Sequence, residues 1–80
     1  MTKHSDSVHV CQAMQLVASD VLGDLISNPD LLNMPWYKEL TERVYMAARQ
    51  SAHVAQILGD DQTAKYTNSV CEKLLQIADL

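Results

Sequence analysis

The stretch Cys11-Gln12-Ala13-Met14-Gln15-Leu16-Val17-Ala18-Ser19-Asp20-Val21-Leu22-Gly23-Asp24-Leu25 sets Cys11, Met14, Ala18, Val21 and Leu25 at alternating spacings of three and four. Such spacing brings side chains onto one face of an α-helix, whereas a half-buried strand needs apolar residues at every second position. The stretch reads as a helix that buries one side. Val10, Val17 and Leu22 widen its stripe, and Leu16 and Ile26 fall on its back. Gly23 costs the helix about 1 kcal/mol relative to alanine, and marks either a close crossing or a weak spot. Upstream, residues 1–6 are polar and expected to be flexible, and Ser5, Asp6 or Ser7 can cap the helix. Downstream, Asn28-Pro29 ends it, because a residue before proline avoids the α region.

The rest of the chain follows the same period. Asn28 as cap, Pro29 and Asp30 predict one short helical turn through Asn33. Pro35 opens a second long helix, with Gly59 as its left-handed cap. Its expected stripe is Tyr37 or Trp36, Leu40, Val44, Ala47, Ala48, Ala52, Ala55 and Leu58. Asp60 or Asp61 caps a third helix, whose stripe is Ala64, Thr67, Val70, Cys71, Leu74, Ile77 and Ala78, flanked by Tyr66 and Leu75. The expected helices span about residues 7–27, 29–33, 35–58 and 61–78 of a single domain. The fold class is all-α: three long helices plus one short connecting helical turn in a small bundle.

An 80-residue chain buries only roughly 60% of its unfolded surface, so its own core gives marginal stability. Apolar residues make up 48% of it, with no phenylalanine, so the core is built from aliphatic side chains and methionine. Completion by self-association is expected, as a homodimer or higher homo-oligomer on long antiparallel helices. Leu16, Ile26 and Met46, off the main stripes, are the expected oligomer contacts. The net charge of −4 repels phosphate backbones and anionic membranes and attracts a basic protein surface. No leader-like opening and no membrane-length apolar run are present, which predicts a cytoplasmic protein. Cys11 and Cys71 fall on apolar faces and are expected to be buried free thiols.

Signals for chemistry are sparse. Val54 to Tyr66 resembles a helix-turn-helix in placing Ala55 four residues before the turn glycine Gly59. Asp60 stands where an apolar residue would seal that turn, Lys65 where the recognition helix would turn an aliphatic side chain inward, and Asp60 and Asp61 would meet the phosphates. His4, His9 and Cys11 do not share a helix face, and no zinc-type pair of Cys or His is present. Glu39, Glu42 and Glu72 lie on polar faces, Asp20 and Asp24 on a solvated edge. No metal, cofactor or enzymatic role is expected.

The informative feature is surplus apolar surface. Leu31, Leu32, Met34, Trp36 and Tyr37 crowd into seven residues around two prolines, and aromatic residues and methionine anchor protein contacts. The expected function is a small acidic regulator that binds another protein and inhibits or remodels it, in the manner of an antirepressor, anti-activator or phage-encoded inhibitor. Its partner is a protein, for example a DNA-binding regulator, rather than nucleic acid itself. The alternative is a DNA-binding regulator using Ala55 to Lys65. The third is a phosphotransfer or catalytic bundle acting through an exposed His53.

Overall fold

The three–four spacing is realised as α1, which spans His4–Ser27. It is followed by a 3-10 turn, Pro29–Asn33, then by α2, Pro35–Ile57, and α3, Asp61–Ala78, all packed together in a computed structural model. The structure describes residues 4–80, with side chains from Ser7 onward. The expected flexible terminus thus falls partly on residues 1–3, outside the described residues, and partly on residues 4–6, which belong to α1.

On α1 the periodic stripe is the core face. Cys11, Ala18, Val21 and Leu25 are buried, and Met14 packs against them half-covered. On α2 the buried ladder is Tyr37, Thr41, Val44, Ala48, Ala52 and Ala55. Leu40 and Ala47, expected in this stripe, are exposed. One residue is about 100° of helix rotation, so starting the ladder at Tyr37 turns those two positions toward the side shared with α1. Thr41 can take the inner position because its hydroxyl donates to the Tyr37 carbonyl at 2.9 Å. On α3, Ala64, Thr67, Val70, Cys71, Leu74 and Ala78 are buried, whereas Ile77 keeps 38% of its surface.

Local chemistry sets the corners. Asn28 makes no side-chain cap bond, and the 3-10 turn starts instead from Pro29 with a Leu31 amide to Asn28 carbonyl bond of 3.1 Å. Gly59 has φ +88°, the left-handed conformation that glycine adopts without steric cost. The Asp60 amide bonds the Ala55 carbonyl at 2.9 Å and the Gly59 amide the Gln56 carbonyl at 3.1 Å. Those two bonds form the Schellman ending of α2. Asp60 then caps α3, accepting from the Thr63 amide at 3.2 Å and the Thr63 hydroxyl at 2.6 Å. These bonds to Thr63 hold the Asp60 carboxyl below the usual carboxylate range.

Gly23 is a weak spot rather than a crossing point, since a Cβ built on it meets nothing within 4 Å. Gly23→Ala is therefore expected to raise stability by about 0.5–1 kcal/mol. Chemical denaturation would show it as a higher midpoint with an unchanged slope.

Candidate interaction surface

The five apolar residues at the turn between α1 and α2 do not share one exposure. Leu31, Leu32 and Met34 are half-buried and pack on the chain's own core, and Tyr37 is buried within it. The 3-10 turn folds back over the ends of α1 and α2, which directs its leucines inward. Burial, and then the nearby Asp24 carboxylate, push the Tyr37 hydroxyl above its ordinary value. Trp36 alone of the five stands out, 63% exposed. Its ring meets the Tyr37 ring edge-on at 5.6 Å between centroids, a contact that steadies it from one side. Leu40, one turn further along α2, is 41% exposed.

Leu16, Ile26 and Met46 are all exposed. They are not brought into one patch. Leu16 borders a groove between α1 and α3 with Gln12, Gln15 and Tyr66, and Met46 borders another with Glu42, Tyr45 and Leu80. A third groove, between α1 and α2, is lined by Val10, Cys11, Met14, Ala47, Ser51 and Val54, with Ser7 and Gln50 at its edges. The sequence does carry a signal for it. Trp36, Leu40, Ala47 and Val54 recur at spacings of four, seven and seven along α2, a second apolar stripe beside the core ladder. Assigning Leu40 and Ala47 to the core hides that stripe.

The titratable groups are dispersed. His9, His53, Asp20, Asp24 and the three glutamates are exposed, and among the described residues no three His, Cys, Asp or Glu side chains lie close enough to hold a metal. The His4 side chain lies outside the described ones. Arg43 and Glu39 pair at 2.9 Å on the open surface of α2, an ion pair worth a few tenths of a kcal/mol. Cys11 and Cys71 are free and buried. Burial pushes the Cys71 thiol up, against a smaller opposing pull from Arg49. At the corner read as a helix-turn-helix, Ala55 packs on Ala64 and the Cys71 sulfur lies 3.9 Å from the Tyr45 carbonyl. Partners that diverge in number on either side of Gly59 mean that α2 and α3 run antiparallel along their length, as an αα-hairpin.

Comparison with protein-family models, with curated proteins and with solved structures finds no significant match. Among the described residues no helix is long and apolar enough to cross a membrane.

Proposed function

We propose that this chain works by binding another protein and blocking or remodelling it, and that it also associates with itself. The observation that carries the reading is Trp36. A tryptophan left 63% exposed, braced by Tyr37 and continued by Leu40, has the form of a contact anchor, since a few aromatic residues supply most of the energy at protein interfaces. The net charge of −4 steers such a surface toward a basic partner.

The test begins with affinity capture from the native cell and continues with the purified partner. Trp36→Ser is expected to weaken binding at least about tenfold while leaving helicity largely intact, because most of the indole lies outside the buried core and only its contact with Tyr37 is lost. Equal affinity of both forms for the purified partner would remove Trp36 as the anchor.

A further inference from the structure

The geometry points to an arginine-bearing segment of another protein, held at the turn end of α1 and α2 between the Trp36 indole and the Asp24 carboxylate. This rests on the protein-binding reading of Trp36 and names the chemistry of the partner. The charge of the chain is unevenly placed. From Val10 to Tyr37 the only charged side chains are Asp20, Asp24 and Asp30, with no lysine, arginine or histidine in that span. All three are exposed, and among the described residues none of them has an ion-pair partner. A helix carries about half a negative charge at its C-terminus, where cations are favoured. The last turn of α1 holds Asp24 instead and no basic residue. Carboxylate and helix end therefore add to one negative field. The nearest cations in sequence do not answer it. Lys38 lies about 200° around α2 from Trp36, on the side of Tyr45 and Arg49 that faces α3, and Arg43 is already paired with Glu39 at 2.9 Å.

The indole supplies the other half of the site. Trp36 is 63% exposed, and its ring meets that of Tyr37 at 5.6 Å between centroids. The Tyr37 hydroxyl in turn lies beside the Asp24 carboxylate. One tyrosine thus stands between an open indole and an unpaired carboxylate. Periodicity places both on the same seam. Val10, Val17 and Asp24 recur every seven residues along α1, about two turns each. Trp36, Leu40, Ala47 and Val54 form the matching line on α2, and Val10, Ala47 and Val54 meet in the groove between the two helices. Asp24 and Trp36 are the turn-end members of those lines. A guanidinium suits the pair. Its flat face stacks on an indole more often than an ammonium does, and its N–H fork binds a carboxylate. Leu40, one turn beyond Trp36 and 41% exposed, gives an apolar neighbour of that arginine a place to rest. The same carboxylates repel a phosphate backbone, so the occupant is a protein segment.

Trp36 is the only tryptophan of the chain, so its emission reports on this site directly. The probe is a short peptide of leucine, alanine and arginine, set against the same peptide with citrulline for arginine, which keeps the shape and removes the charge. By calorimetry the arginine peptide is expected to bind at least about tenfold tighter than the citrulline one, and to weaken with added salt. Its binding should also change Trp36 emission. Asp24→Asn should raise the dissociation constant at least about threefold, with helicity retained by circular dichroism. Asp20→Asn, one turn earlier on α1, serves as a second variant should Asp24→Asn lose helicity. Asp61→Asn, at the opposite end of the bundle, should leave the affinity unchanged. No binding of the arginine peptide at millimolar concentration overturns the inference. So does equal binding of the two peptides, binding that leaves Trp36 emission unchanged, or an equal loss in Asp24→Asn and Asp61→Asn. Emission that shifts with chain concentration alone gives the site to a second copy and overturns it too. A native partner released by Trp36→Ser, but held equally by the wild type and Asp24→Asn, removes the arginine and leaves the protein-binding reading standing.

Discussion

Leu74→Ala and Leu25→Ala are each expected to remove about 2–5 kcal/mol of stability. Both side chains have no exposed surface and belong to the same buried cluster, where α1, α2 and α3 meet. Their neighbours there include Val44, Ala48 and Val70, short side chains that cannot swing across to fill a void. A chain of this length carries in total about 4–12 kcal/mol, so either change takes a large share of it. Urea unfolding followed by helical circular dichroism, at one fixed chain concentration, reads the loss as a lower midpoint. Leu40→Ala is the internal comparison, because Leu40 is 41% exposed and should cost less than about 1 kcal/mol. Similar losses at Leu40 and Leu74 would mean that the core has been placed on the wrong face of α2.

The second large effect runs in the opposite direction. Thr67→Val is expected to stabilise the chain by about 1–3 kcal/mol. Thr67 is 1% exposed, and its hydroxyl oxygen has no hydrogen-bond partner among the described residues. A buried polar group left unpaired costs about 1–3 kcal/mol, and valine keeps the shape while removing the group. Thr41 provides the contrast. It is equally buried, but its hydroxyl donates to the Tyr37 carbonyl, so Thr41→Val exchanges a satisfied group for an apolar one and should change stability by less than about 1 kcal/mol. Thermal melts of the two variants side by side decide the matter. A gain at Thr41 equal to that at Thr67 would show that hydroxyl satisfaction is not what separates them.

Much of the fold is legible in the residues because helical period, proline and glycine act locally. The Cys11–Leu25 spacing fixes the buried face of α1, Pro35 opens α2, and Gly59 with Asp60 turns the chain into α3. What is not legible depends on where one helix sits around its own axis. Whether Tyr37 or Trp36 points inward is undecided by spacing alone, and that choice moves Leu40 and Ala47 from core to surface and Thr41 from surface to core. The candidate surface suffers more. Leu31, Leu32 and Met34 look like surplus apolar residues in the sequence, and only the fold-back of the 3-10 turn shows that the chain uses them to close its own end. The Trp36 stripe is readable once the Tyr37 ladder is known.

The three helices are not equally committed to one another. α2 and α3 pack together more extensively than either packs with α1, and their short Gly59 corner makes them a local unit. Local opening follows the least cohesive boundary in a protein. The cheapest excursion of this molecule is thus the departure of α1 from an intact hairpin, which bares Val44, Ala48 and Leu74 without melting the whole. Any partner lying across α1 and α2 would pin the helix that leaves most readily, so binding there would act as a latch on the most labile third of the chain.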